Sequence, residues 1–301
     1  MQHIRPYHFA RVQVAGFRPY YRAIVQAGGV VCFDLEDSVR VADDEEATLA
    51  LKRNQRHRLR QLLRACRPNV DRLAVRINAP ATLHYAADLA SLRGWPGLHA
   101  VFVPKAEHPD TLRQVLRELP APVRHVIPVV ETAAAVAGLP ELLAPADPRL
   151  GLVAFGHCDY NLSLNHFPFH HHDSPQYWEW IAELDAHLQA AGKRLLNSPV
   201  LRLADAAHFR QVLHQLRSYP SAAGQITLCL AQTRACATPT PSSLVVGPRP
   251  AAAADTQELT QQFEQHQQPG SFFALDANRR LISPHEYEAA RQLPSPWLPC
   301  T

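Results

Sequence analysis

Six apolar runs in this chain end in acidic, basic or amide side chains. Asp34, Glu36 and Asp37 follow VVCF, and Arg76 and Asn78 close LAVRIN. Lys105 closes AVFVPK, Glu131 closes VIPVVE, Gly156-His157-Cys158-Asp159 follows LVAF, and Asn197-Ser198 closes RLLNS. One charged residue after an apolar run carries little information. Their succession carries more, because parallel strands closed into a barrel place all such ends on one face, where barrel active sites are built.

Glu131 and Asp159 are the best metal pair. Two carboxylates on neighbouring strands, with positions left for water and substrate oxygens, suit Mg²⁺, with Mn²⁺ as an alternative. A cation held there would bind the carboxylate and carbonyl oxygens of a 2-keto acid and stabilise its enolate. Arg76 is expected to clamp a substrate carboxylate by a planar two-point contact. Glu36 and Asp37 would bind water on the metal or hold Arg76 and Lys105 in place. The plainer alternative makes Glu131 and Asp159 helix caps or surface ion pairs, and Asp159 before Tyr160-Asn161 would serve as a cap if it stood alone. The other strand ends favour the metal.

The elements that must position these groups alternate. Strands are expected over residues 8–14, 29–34, 72–78, 100–105, 125–131, 150–156, 194–198 and 225–230. Several are continuous apolar runs, as strands buried on both faces require. Helices are expected over 45–66, 110–119, 133–143, 175–192 and 205–218, with Pro68 and Gly192 as stops. Eight strand–helix units predict an α/β fold of the (β/α)₈ TIM-barrel type. An open nucleotide-binding sheet lacks its usual glycine signatures here. The barrel is expected over residues 1–236. Residues 237–301 form a Pro/Ser/Thr-rich connector and a helical appendage, with helices over 255–268 and 283–293 and a short extended or turn element in PGSFFALDANRRLI. Phe263, Phe272, Phe273 and Trp297 predict that this extension packs on the barrel or on a neighbouring subunit.

Composition narrows the class. The chain has 301 residues, 47% of them hydrophobic, 19% charged, and a net charge of +3. The one basic run, from Lys52 to Arg64, alternates with Leu59, Leu62 and Leu63 and reads as the solvated face of a helix, so no nucleic-acid partner is expected. No apolar stretch reaches membrane-spanning length, and MQHIRPYHFARVQ has no signal-peptide core. The six cysteines show no CxxC pair, and Cys32 and Cys229 lie in apolar runs as reduced core residues, so a cytoplasmic location is expected.

The strand ends resemble the citrate lyase β-subunit-like family, with malyl-CoA, β-methylmalyl-CoA and citramalyl-CoA lyases as relatives. FDLEDSV (33–39) resembles its DLED motif, with Lys52 near the position of a downstream lysine. RIN (76–78) resembles its substrate-arginine motif and VPKAE (103–107) a further strand. VVETAAAV (129–136) and FGHCDYNLSL (155–164) resemble the segments bearing its two metal carboxylates. The order and approximate separations agree across roughly residues 10–215.

The resemblance implies a metal-dependent aldol or Claisen-type lyase on a barrel that assembles as a homo-oligomer, a trimer or hexamer. It carries over Glu131 and Asp159 as Mg²⁺ ligands and Arg76 as the carboxylate clamp. FFALDANRRLISPHEYEAARQL resembles the family's C-terminal segment, which in the acyl-CoA lyases carries an aspartate reaching a neighbouring subunit's site. Asp276 is the corresponding acid/base candidate, although Ala277 replaces the glycine that follows it. The eighth strand departs further: in AAGQITLCLAQTRA, Gln225 stands for a lysine and Leu228-Cys229-Leu230 for an IHP triplet next to the CoA-binding surface.

The expected catalytic set is therefore Arg76, Asp37, Glu36, Lys105 and Asp276. Arg76, Asn78, Gly156 and Asn197 are the expected substrate-binding residues, and Glu131 and Asp159 the metal ligands. The expected function is a Mg²⁺-dependent carbon–carbon lyase or condensing enzyme acting on a β-hydroxy acid or acyl thioester. One alternative is a CoA-independent pyruvate-type aldolase; another is an inactive barrel used for binding or assembly. The partner is a small keto or hydroxy acid, with acyl-CoA use open. The histidines from His166 to His172 read as a loop or active-site rim, Tyr177, Trp178 and Trp180 as core or subunit contacts, and Cys158 as a spacer with no assignable base.

Overall fold

The computed structural model describes residues 2–11, 17–41, 44–65, 71–120, 122–238, 256–267 and 273–292. Eight parallel strands close into a barrel in chain order. They are β1 (Arg5–Ala10), β2 (Val30–Asp34), β3 (Leu73–Arg76), β4 (Leu98–Val103), β5 (Val123–Val130), β6 (Leu152–Phe155), β7 (Arg194–Asn197) and β8 (Ala222–Thr227). The expected barrel is the observed one. Helices lie between the strands, including Glu45–Ala65, Pro109–Glu118, Pro175–Ala190 and Ala206–Leu216 close to where the sequence places them.

Side-chain alternation explains why the strands read as unbroken apolar runs. Val30, Cys32, Ala74, Ala100, Phe102, Ile127, Val129, Leu152, Ala154 and Leu196 fill the lumen. Their neighbours Val31, Phe33, Val75, Val101, Val103, Val126, Val130, Val153 and Phe155 pack outward in a second core that includes Leu59, Leu63, Ile181 and Leu213 of the helices. Most strands are thus apolar on both faces, and the polar residues within them, such as His8, His99, Asn197 and Gln225, are buried.

Several expectations shift. β1 and β8 lie three residues earlier than expected. Residues 133–143 form two short helices, Ala133–Ala137 and Leu139–Leu143, divided at Gly138. Lys52 is buried at 5% exposure, unlike most of its basic run. Cys32 is a core residue, whereas Cys229 is half-buried at the N-cap of the helix Leu230–Ala237. The C-terminal extension holds the helix Thr256–His266, a hairpin of β9 (Ala274–Leu275) and β10 (Leu281–Ile282), and the helix Pro284–Gln292. Cys66, Cys300, Phe272, Trp297 and most of the connector lie outside the described residues. No helix among the described residues is long and apolar enough to cross a membrane.

Two barrel histidines are buried and neutral. His8 pairs Nδ1 with the Thr233 hydroxyl at 2.7 Å and Nε2 with the Tyr20 hydroxyl at 2.6 Å, and burial lowers its pKa to about 4. His99 meets the Tyr7 hydroxyl at 3.3 Å. Burial, then His125 and the nearby Arg5, Arg124 and Arg72, lower it to about 3. A folded-state pKa below the unfolded value means that the unfolded chain takes up protons first as pH falls. The stability is full above the unfolded value near 6.5 and is lost as pH falls from there toward the folded values. Each ring should cost about 2 kcal/mol by about pH 5. Urea midpoints measured at neutral pH and at about pH 5 should differ accordingly, and His99→Gln should reduce the difference.

Candidate active site

The loop after β2 is fixed by a buried ammonium. Lys52, from the helix Glu45–Ala65, donates to the Leu35 carbonyl at 2.9 Å, the Glu36 carbonyl at 3.0 Å and Asn78 Oδ1 at 2.8 Å. Three donors meet three acceptors, which makes a buried lysine tolerable. Asn78 donates in turn to the Leu35 carbonyl at 2.8 Å and to Asp88 Oδ2 at 2.6 Å. Both ends of its amide thus tie the loops after β2 and β3 together. Asn78, expected to bind substrate, is a strut instead.

Arg76 ends β3 with its guanidinium among acids. Its Nε and Nη2 edge grips Asp34 at 2.8 and 2.6 Å. Its Nη1 reaches Glu36 at 2.8 Å and Asp37 at 3.1 Å. It also lies over the Phe9 ring, 5.6 Å from the centroid. The two-point edge expected to clamp a substrate therefore already holds Asp34, and the remaining nitrogen meets Glu36 and Asp37. Glu36 and Asp37 hold Arg76, one of their two expected roles.

Glu131 follows β5, and Asp159 lies in the first turn of the helix His157–Ser163 that follows β6. Neither is a helix cap: Thr132 caps the helix after β5 through Ala135 N, and Gly156 occupies the N-cap position ahead of Asp159. Glu131 Oε1 accepts from the Lys105 amide at 2.8 Å. Lys105 reaches that position with φ at 50°, a left-handed conformation of the kind that concentrates at functional sites. Its ammonium lies at the half-exposed rim, 3.7 Å from Asp159 Oδ1. Gly156 makes room for Glu131, since a Cβ there would fall 2.6 Å from Glu131 Oε2. Asp37, Asp159 and His285 place ligand atoms within 4.8 Å of one another, and His285 Nε2 is 3.2 Å from Asp159 Oδ1.

The crowding shows in the protonation of the group. Burial, then Asp159 and Asp37, push the Glu131 carboxyl up to about 8. Burial, then Asp37 and Glu131, push Glu36 well above the usual carboxylate range. Burial opposes the charge on Asp37, but Arg76 and His285 outweigh it and hold Asp37 low. Burial would lower His285, yet Asp159, Asp37 and Glu131 raise it to about 9. Carboxylates pressed toward neutrality by one another form a site that a divalent cation would return to the charged state. The oxygens of Asp37 and Asp159 are near enough to share such an ion, and Glu131 lines the same cavity.

These groups border a cavity of about 240 Å³ at the C-terminal end of the barrel. Its apolar wall includes Phe9, Phe102, Phe155, Ile226 and Leu228 of the barrel, and Phe273 and Leu281 of the extension. A larger groove of about 590 Å³ is lined by residues of the helices Pro175–Ala190 and Ala206–Leu216, but the carboxylate group is not in its wall. The extension is held to the barrel by strand-like bonds, from Leu203 N to the Arg279 carbonyl at 3.1 Å and from Leu281 N to the Leu201 carbonyl at 2.9 Å. Glu286, 1% exposed, accepts from Arg280 within the extension at 2.5 Å and reaches the barrel side by lying 3.3 Å from His171 Nε2. His171 Nδ1 is 2.9 Å from His157 Nε2, so the histidine-rich loop is the joint between barrel and extension.

Three remaining positions are located plainly. Asn197 is fully buried, accepting from the Tyr177 hydroxyl at 2.7 Å and donating to Gln225 Oε1 at 2.8 Å, so it supports the barrel rather than offering its amide to a substrate. Asp276 shapes the β9–β10 turn by accepting from Asn278 N and Arg280 N at 2.9 and 2.7 Å, and it is not in the cavity wall of its own chain. Cys158 is half-buried; burial raises its thiol, which leaves it no nucleophile.

The sequence model of the HpcH/HpaI aldolase/citrate lyase family matches residues 14–219. The chain belongs to that family. It is thereby placed among carbon–carbon lyases. No curated protein matches it. Among solved structures, the citrate lyase β subunit of M. tuberculosis complexed with oxaloacetate and magnesium is 24% identical with a TM-score of 0.61, covering 78% of this chain and 96% of its own. The CitE protein of Mycobacterium tuberculosis in complex with magnesium, acetoacetate and coenzyme A is 21% identical with a TM-score of 0.58, covering 96% of each chain. RipC from Yersinia pestis is 20% identical with a TM-score of 0.58, covering 80% of this chain and 98% of its own. These likenesses establish the fold.

Sequence reading missed His285. It opens a helix in the extension, where no strand-end pattern marks it, and only the hairpin's attachment to residues 201–203 brings it over the barrel mouth.

Two substitutions test the arrangement. Gly156→Ala should displace Glu131 and lower turnover about a hundredfold with little change in thermal midpoint, because a shift near 1 Å in a positioned group has that effect. Glu286→Ala should leave Arg280 and His171 without their carboxylate and loosen the extension by about 3–5 kcal/mol. Hydrogen exchange should then rise over residues 273–292 while the barrel strands keep their protection.

Proposed function

We propose that this chain is a Mg²⁺-dependent lyase that breaks or forms the carbon–carbon bond beside the carbonyl of a small keto acid. Glu131 and Asp159 hold the cation, with Asp37 beside them, and Mn²⁺ serves as a substitute. The observation that carries this reading is the meeting of carboxylates from the ends of β2, β5 and β6 at one cavity. Magnesium is also the cation named with oxaloacetate and with acetoacetate in the solved structures that share this fold. When bound, the cation supplies Lewis-acid polarisation of the substrate oxygens, which stabilises the enolate of cleavage.

The chain's own residues supply position and exclusion. Asp34, Glu36 and Asp37 fix the Arg76 guanidinium, whose outer nitrogens face the substrate carboxylate. Lys105 adds a positive charge at the rim, and Phe102, Phe155, Ile226 and Phe273 keep water from the reacting carbon. Residues 1–236 then form the lyase barrel, and residues 237–301 a linker and an extension that completes the cavity.

A free acid is favoured over a CoA thioester. Gln225 is fully buried, donating to the Ser198 and Ile226 carbonyls at 2.7 and 2.9 Å, and Leu228 is an apolar wall residue. Of the positions that in the resembling family lie next to the CoA surface, Gln225 thus serves packing and Leu228 an apolar cavity wall, which favours a CoA-independent, pyruvate-type aldolase.

The test is exchange of the pyruvate methyl protons with deuterated water, followed by NMR without any thioester. Exchange should require Mg²⁺ and fall at least about a hundredfold in Glu131→Gln or Asp159→Asn, with the fold retained. Full exchange in either variant, or exchange only on adding CoA esters, would defeat the corresponding part of the reading.

A further inference from the structure

We infer that His285, carried over the barrel mouth by the C-terminal helix of the same chain, is a nitrogen ligand of the cation, making the site a mixed carboxylate–imidazole centre. The inference rests on the reading that the barrel mouth holds a divalent cation. Asp37 comes from the loop after β2, Asp159 from the helix after β6, and His285 from the helix Pro284–Gln292. Their ligand atoms gather within 4.8 Å, from parts of the chain far apart in sequence. The 3.2 Å between His285 Nε2 and Asp159 Oδ1, an ion pair here, is close to the roughly 3.0 Å edge of two ligands about 2.1 Å from one ion at a right angle, so a cation would take the place of the imidazolium proton.

The anchoring supports a fixed ligand. His285 is followed directly by Glu286, which is buried against Arg280 and His171, and the helix Pro284–Gln292 packs on the helix that bears Asp159. His285 is therefore held at the cavity wall by its neighbour rather than swinging on a surface loop. The donor set then bears on the metal. Mg²⁺ takes oxygen ligands and retains its waters, whereas imidazole suits first-row transition metals. An imidazole ligand should therefore add more to the affinity for Mn²⁺ or Co²⁺ than to that for Mg²⁺, and His285 should be the source of that difference.

The experiment uses the full chain and Mn²⁺ alone, with no substrate. Pulsed electron paramagnetic resonance of bound Mn²⁺ should show nitrogen-14 coupling from a directly bound imidazole. His285→Ala should remove that coupling and weaken Mn²⁺ binding, read by calorimetry, by about 10–100-fold, with a much smaller effect on Mg²⁺. Mn²⁺ bound to the unaltered protein without nitrogen coupling overturns the inference alone, and so does coupling that survives in His285→Ala. If His285→Ala is unstable, His285→Gln makes the same assignment, and an unaltered protein without nitrogen coupling still overturns the inference. No divalent binding at all, or binding unaffected by Glu131→Gln with Asp159→Asn, overturns the cation reading on which the inference stands.

Discussion

The site depends on the ion pair between Arg76 and Asp34. Without a charge held at the end of β3, the acids on the loop after β2 would repel one another and the carboxylates after β5 and β6. Arg76 binds Asp34 through its planar fork and spans Glu36 and Asp37 with its remaining nitrogen. Its own position is secured by the Phe9 ring below. A lysine could not do this, since a point charge on a flexible stem lacks the fork that fixes three acids at set angles. One guanidinium does not neutralise the whole group, and Glu36 and Glu131 remain pushed toward their protonated forms. Such a cluster is costly to assemble, and the attraction of a divalent cation is what makes it intelligible.

The extension converts that cluster from an open barrel mouth into a chamber. Its hairpin joins the residues after β7, its buried Glu286 locks onto Arg280 and His171, and Phe273 and Leu281 complete the apolar wall. Lower water content strengthens each charge interaction inside. The histidine-rich loop after Asp159 makes structural sense in this setting. His171 touches both His157 and Glu286, so the loop couples the segment bearing Asp159 to the segment bearing His285.

The barrel was legible because its strands are buried on both faces, which makes Val30–Phe33 or Val126–Val130 unmistakable and marks the first polar residue beyond each. β1 and β8 were misplaced where this signal weakens. Arg5 and Pro6, a charge and a residue without an amide hydrogen, begin β1, and the small residues Ala222, Ala223 and Gly224 begin β8, so neither start carries an apolar run. The helix His157–Ser163 is too short for periodicity to reveal. Strand-end position identified residues near the site but not the direction of their polar atoms: Asn78 and Asn197 close strands as Arg76 and Glu131 do, yet each turns its amide into the structure. That distinction depends on Lys52, Asp88, Tyr177 and Gln225, whose approach is a property of packing.

Gln225 bears most directly on substrate choice. A buried amide must satisfy its donors and acceptor locally, and this one meets the Ser198 carbonyl, the Ile226 carbonyl and the Asn197 amide. Tyr177 closes the network by reaching both Asn197 and Ser198. A lysine in the same place would bring a charge into a pocket already filled by neutral partners, so the network and a cationic eighth strand are alternatives. With β7 and β8 committed to this network, recognition falls to what is left at the mouth. What lies there is a cavity bordered by charged groups and walled by Phe102, Phe155, Ile226 and Leu228. The departure from the family pattern on the eighth strand thus coincides with one buried network, in which Gln225 joins β7 to β8.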